Sequence, residues 1–296
     1  MASTASTDAR VETTPPGTRR SFASVALGYG VLIFFALIYV FPFLIQIATS
    51  FKSQSDASAH PLSLFPNPVT TVDSFSRLSQ GSSGFPRALA NSLVVTLVVT
   101  AGRVFFDSMA GYALARLRFP ARRTIFAATL AVLAVPGVVL LIPKFLVLNQ
   151  LGIYDTYAAL VLPLLADAAG VFIMKQFFES VPTSIEEAAR IDGAGTFRIF
   201  WSVVLPMARP ALITLTILAF QGSWNEFAQI LVAVQSPDHY TLPVWLANLV
   251  TGSLGAGTQF PLKLGGALLA TIPVALLFAA FQRYFIRGAN EGGVKG

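Results

Sequence analysis

The chain has 296 residues, 54% of them apolar and 11% charged, with a formal net charge of +6 and no cysteine. Soluble domains carry about 25% charged residues, so this composition excludes an ordinary soluble fold and points to a polytopic membrane protein. The missing cysteines exclude disulfides and thiolate chemistry, and the basic residues collect in alternate loops, so no nucleic-acid partner is expected.

Residues 1–22 are polar and rich in Ser, Thr and Pro, and read as a disordered tail. The first apolar run, residues 25–48, has the 24 residues that a bilayer core of about 30 Å requires. A signal peptide is the rival reading, because Ala57-Ser58-Ala59 has an A-x-A form. Its apolar region would be only about 7–15 residues long, so an uncleaved span is expected, with Pro42 placed to kink it.

A polar loop then leads to a second span, residues 88–113. Arg103 and Asp107 lie in its middle, four apart and so on one helix face. Charges at that depth are costly and normally face the bundle interior; a structural ion pair and a direct part in transport are both open. Further spans are expected at 124–142, interrupted by Pro136-Gly137, and at 157–177, 211–234 and 264–286, the last containing Pro273. The long apolar runs exclude a β-barrel, whose strands alternate. His60 and His239 both fall in loops, which leaves no histidine-based metal or catalytic cluster.

The loop at 178–209 has a different grammar. Thr183 or Ser184 is placed to cap a helix, with Glu186 or Glu187 as capping-box partner. Gly193 is placed to end that helix in a left-handed conformation, and Pro206 to stop a second one.

The positive-inside rule orients the spans. With the N-terminus inside, fourteen Lys and Arg fall on the cytoplasmic side, among them Arg116, Arg118, Arg122 and Arg123, against five outside. Both termini and the 178–209 loop are therefore expected in the cytoplasm of a multi-pass inner-membrane protein. No G-x-x-x-x-G-K-[ST] phosphate loop is present, nor G-x-S-x-G or H-E-x-x-H. The chain is not expected to be an enzyme or to bind a cofactor.

Glu187-Ala188-Ala189, then Gly193, then Leu205-Pro206 resembles the EAA loop of ABC importer permeases. Ser223-Trp224-Asn225-Glu226-Phe227 resembles the fifth-helix motif of their carbohydrate-type, MalG-like group. The C-terminal Gln282-Arg283-Tyr284-Phe285-Ile286-Arg287-Gly288 resembles that group too, as do Ser50-Phe51-Lys52 and the run from Gly111 to Arg116. The resemblance covers residue 25 to the end. It implies an all-α permease fold with six transmembrane helices and cytoplasmic coupling helices. The implied partners are a homologous second permease, two ATPase subunits carrying ATP and Mg, and an extracytoplasmic solute-binding protein.

In that reading Glu187, Ala188, Ala189, Arg190, Asp192, Gly193, Leu205 and Pro206 couple to the ATPase. Small residues allow close approach, and Glu187 serves a cationic partner, its own helix terminus, or both. Arg190 and Asp192 are docking charges or a solvated face. Gln221, Trp224, Asn225 and Glu226 line a carbohydrate pathway or tie helices together. Ion-coupled secondary transport through Asp107, Asp167 or Glu226 is the alternative.

Overall fold

In the computed structural model, residues 22–67, 70–80, 84–251 and 259–292 are described. The expected disordered tail at 1–22 and the chain end at 293–296 lie outside them, but for Phe22, as do the side chains of Arg283 and Arg287.

The described residues form helices. Residues 1–45 and 46–296 are two compact units. The first is represented by most of α1 (Phe22–Ser50), a continuous helix through Pro42. Its side chains from Ala26 to Leu44 are exposed, as suits an apolar helix whose solvent is hydrocarbon.

In the second unit, short helices α2 (Gln54–Ala59) and α3 (Asp73–Ser79) precede α4 (Phe85–Arg116). Buried Lys52 organises the α2 loop by donating to the carbonyls of His60 at 2.8 Å and Ser63 at 2.7 Å. Helix α4 has 32 residues, about 48 Å at 1.5 Å per residue, so it overshoots a hydrocarbon core of about 30 Å. Then follow α5 (Arg122–Leu133), α6 (Leu141–Gln150), α7 (Tyr157–Val161), α8 (Ala168–Ser180) and α9 (Thr183–Ile191). The chain finishes with α10 (Thr196–Ile199), α11 (Leu205–Met207), α12 (Arg209–Trp224), α13 (Ala228–Ala233), α14 (Leu242–Thr251) and α15 (Phe260–Gly292).

Among the described residues, four helical stretches are long and apolar enough to cross a membrane: Ala26–Ser50, Phe85–Arg116, Tyr157–Ser180 and Phe260–Gln282. Counting each of two bent pairs as one crossing gives six. One bend and one helix break fall inside expected spans. The 124–142 run turns by 101° between α5 and α6, where Pro136 cannot donate a helical hydrogen bond. The 211–234 run is split, because α12 ends at Trp224 and α13 begins at Ala228.

Helix α4 is the axis of this unit and contributes to three buried clusters. Near its N-terminus Phe85 and Ala88 pack with Phe220, Trp224 and Trp245. At mid-length Val95 and Val99 meet Leu160 and Ile230. Near its C-terminus Tyr112 and Ala115 meet Met174, Phe178 and Phe200. Gly111 lets α8 come close: a Cβ there would stand 2.7 Å from Met174 Cβ. Small residues at such crossings gain van der Waals contact, which carries helix association where hydrocarbon is the solvent.

Candidate functional site

The 178–209 loop emerges beside the C-terminus of α4. Helix α9 begins at Thr183 directly after Pro182, and no side chain caps it. The expected capping box is therefore absent. Glu186 instead turns inward, its side chain 5% exposed. The Tyr112 hydroxyl donates to its Oε2 at 3.2 Å, Arg116 Nε stands 3.1 Å from Oε1, and Arg190 is 3.8 Å from Oε2. Arg116 also donates to the carbonyls of Phe178 and Val181, supplying positive charge and donors to the carbonyl end of α8. One guanidinium thus joins α4, the end of α8 and α9. A buried carboxylate is tolerable only when paired and hydrogen-bonded in this way. The Tyr112 ring is held edge-on to Phe178 and tilted on Phe200, at 5.7 and 5.0 Å.

The opposite face of α9 is open. Glu187, Ala188, Arg190, Asp192 and Gly193 are exposed, while Ala189 is half-buried against the cluster around Tyr112. Gly193 has φ +80°, the left-handed conformation expected of it. The Ala194 amide donates to Ala189 and the Gly193 amide to Arg190, at 2.9 and 3.0 Å, which makes a Schellman cap. Ile191 is 87% exposed, and Phe197 stacks on Trp201, both more than half exposed, at 6.4 Å. Exposed apolar groups bunched on a polar loop mark a face for contact with a protein or a membrane surface.

Pro206 does not stop the second helix. α10 passes through a π-turn (Phe200–Val204) into α11, where Pro206 sits in the first turn. The chain bends by 82° into α12 after Met207, at Ala208. Leu205 is half-buried against the same cluster as Ala189.

Arg103 and Asp107 do not pair with one another. Arg103 Nε donates to the Leu164 carbonyl at 2.8 Å, and Asp107 Oδ1 accepts the Asp167 amide at 2.9 Å. The crossing from Tyr157 to Ser180 is interrupted at residues 165–167, which frees a carbonyl before the break and amides after it. Lipid cannot satisfy such groups. Arg103 and Asp107, one turn apart on α4, satisfy one of each. Asp167 takes two more amides, those of Ala169 and Gly170, both at 3.1 Å. A Cβ on Gly170 would stand 2.1 Å from Asp107 Oδ2, so only glycine leaves room for the carboxylate.

The residues from Gln221 to Glu226 divide. Trp224 is buried, stacked on Phe220, and its indole N–H donates to the Ala270 carbonyl at 3.1 Å; it ties helices together. Gln221 and Asn225 are exposed at the end of α12, with the Asn225 amide on the Gln221 carbonyl at 2.9 Å. Half-buried Glu226 accepts the Gln229 amide at 2.9 Å and so caps the first turn of α13. Sequence reasoning passed over Gln229, which is 2% exposed with both side-chain polar atoms unpartnered. It also passed over Tyr112 and Arg116 as anchors; the i, i+4 spacing of Glu186 and Arg190 was the available signal.

Near the N-terminal end of α4, a polar knot holds residues 235–240. Asn91 donates to the carbonyls of Asp238 and Tyr240 at 2.8 and 3.0 Å and accepts from the Tyr157 hydroxyl at 2.8 Å. Arg87 pairs with Asp238. Asp155 accepts from the Ser236 hydroxyl, from the Ser236 and Gln235 amides at 3.0 Å, and meets His239 Nδ1 at 3.3 Å. The Ser236 hydroxyl, followed by the two amides, holds the Asp155 carboxyl well below the usual carboxylate range.

A family model described as binding-protein-dependent transport system inner membrane component matches residues 107–290. The arabinooligosaccharides transport system permease protein AraQ of Halalkalibacterium halodurans is 35% identical over 264 residues, covering 89% of this chain and 94% of that one. The inner membrane ABC transporter permease protein YcjP of Escherichia coli is 33% identical over 271 residues, covering 90% and 95%. One chain of the crystal structure of a bacterial ABC transporter involved in the import of the acidic polysaccharide alginate superimposes with a TM-score of 0.78 at 26% identity, over 92% of this chain and 100% of that one.

Proposed function

Because the chain belongs to the family of binding-protein-dependent transport system inner membrane components, we propose that it forms half of the translocation pathway of an importer for a carbohydrate or related solute. It is a multi-pass permease subunit of an ABC importer, and ATP hydrolysis resides on a partner subunit. The carbohydrate class follows from relatives named for arabinooligosaccharides and alginate. The proposed partners are a second, homologous permease, two ATPase subunits with ATP and Mg, and an extracytoplasmic binding protein. Both termini and the 178–209 loop face the cytoplasm in this reading, as the charge bias requires.

The observation that carries the proposal is the two-sided α9. Its outer face offers Glu187, Ala188, Ile191 and Asp192 to a partner, with Arg190 at the edge beside Glu186. Its inner face is tied through Glu186 to Arg116, and through Arg116 to the end of α8. When ATP closes the motor, a pull on α9 reaches α4 and α8 together. The bundle then exchanges inward-open for outward-open, and solute passes along a polar path to which Gln221, Asn225 and Glu226 contribute. Trp224 supports that path from behind. Asp107 Oδ1 and Asp167 Oδ2 accept backbone amides at the break in the Tyr157–Ser180 crossing, which gives both carboxylates a structural task.

Uptake in proteoliposomes containing the complete complex tests the reading. We expect uptake to stop when the ATPase subunit is inactivated and to persist when the ion gradients are collapsed. Uptake that follows the ion gradient and ignores the ATPase overturns it.

A further inference from the structure

Beside the C-terminal end of α4 a cavity of about 650 Å³ opens among α4, α5 and α8. Leu114, Phe119 and Phe126 give it apolar walls, and Arg118, Arg122, Arg123 and Lys175 give it four cations. Among the described residues one carboxylate meets these cations: Glu179 lies 2.7 Å from Lys175 and 3.9 Å from Arg122. The side chains of Arg118 and Arg123 are exposed and make no hydrogen bond or ion pair among the described residues. The amino end of α5 opens at the same cavity, since Ala121 and Thr124 line it. No side chain caps that helix and its first turn has no acidic residue, so its free amides and dipole add to the positive potential.

We propose that this cavity holds the phosphate-bearing headgroup of an anionic membrane lipid. The charge excess and bare amides select an anion with several acceptor oxygens. The apolar walls and the level of the cavity, where a membrane-crossing helix ends, select an amphiphile over a free ion. None of the 12 residues of α5 is buried, and its Ile125, Leu130 and Val132 are exposed, as side chains against acyl chains would be. Basic pockets between membrane helices are suited to such headgroups. Topology alone calls for positive charge on this side but for neither a cavity nor an uncapped helix at it. The proposal rests on the chain spanning a bilayer and is independent of the solute carried.

The test uses the complete, delipidated importer complex, titrated with phosphatidylglycerol, phosphatidylcholine or inorganic phosphate, with bound lipid counted by native mass spectrometry. We expect phosphatidylglycerol to be retained in preference to phosphatidylcholine. Arg118→Gln with Arg123→Gln should weaken retention about twenty-five-fold, from a factor of roughly five per basic side chain. Arg118→Lys with Arg123→Lys, which keeps the charge that sets topology, should stay within about three-fold of wild type. Each variant's ATPase activity in phosphatidylcholine alone reports whether the complex is assembled, and so separates failure of the lipid site from failure of the importer reading. Equal retention of the two lipids, equal retention by the Gln variant, or binding of inorganic phosphate as tight as that of phosphatidylglycerol overturns the proposal.

Discussion

Replacing Glu186 by Gln removes one charge and leaves the shape of α9 intact. In the wild type the Glu186 carboxylate is 5% exposed and the Arg116 guanidinium 9%, so the pair is shielded from water. Removing one partner of a buried pair costs about 3–5 kcal/mol, because the other charge stays buried without compensation. Arg116 keeps the Phe178 and Val181 carbonyls, which points to the lower end, about 3 kcal/mol. The Arg190 contact, 3.8 Å long with a side chain 53% exposed, adds no more than about 0.5 kcal/mol. A loss of about 3 kcal/mol shifts the equilibrium between α9 held on the bundle and α9 free by roughly 100-fold.

The assay is ATPase activity stimulated by solute-loaded binding protein, beside uptake, in reconstituted complexes. Glu186→Gln should retain basal ATPase activity and lose most of the coupled uptake. A double-mutant cycle with Arg116→Gln should show a coupling energy of about 2–3 kcal/mol, read as protection of the α9 amides from hydrogen exchange. Additive effects, or a Glu186→Gln complex with wild-type uptake per ATP, would refute the reasoning.

Gly193 is constrained by its φ of +80°, since nothing lies within 4 Å of a Cβ built there. Gly193→Val should therefore cost about 1–2 kcal/mol at the cap and weaken ATPase co-purification, while Gly193→Asn is tolerated; equal behaviour of the two would show that the cap does not matter. Trp224→Phe should lower thermal stability by about 1 kcal/mol through loss of one hydrogen bond and leave the KM for uptake unchanged, whereas Gln221→Ala with Asn225→Ala should raise KM; the reverse pattern would move the pathway to Trp224. Asp155 has a depressed pKa when folded, so its support of residues 235–240 is complete above the ordinary carboxylate pKa of about 3.9 and is lost as pH falls through the lower folded value. Protection factors at 235–240, taken against the intrinsic exchange rate at each pH, should therefore be flat from pH 8 to about pH 5 and fall under stronger acid, and Asp155→Asn should lower them already at neutral pH; unchanged protection in Asp155→Asn would refute the assignment.

The approximate reach of the spans was legible because apolar length is a local property that a bilayer reads directly. The left-handed Gly193 was legible too, as glycine after an amphipathic run is a local stop. The capping box was not. Three residues of spacing permit Thr183 to meet Glu186, or Ser184 to meet Glu187, but a buried guanidinium from α4 competes for Glu186 and wins. The helix breaks at 165–167 and 225–227 carry polar residues, Asp167, Asn225 and Glu226, but hydropathy averaged over a span does not register where backbone groups go unpaired.

Arg103 and Asp107 mark the division most sharply. By itself the sequence determined that two costly charges share one face of a membrane helix, and that a loop with helix-forming grammar separates two apolar runs. Which groups those charges serve was decided only when α8 packed against α4. An ion pair and a pair of backbone contacts have the same spacing along one helix, and the free carbonyl and amide that separate them belong to another.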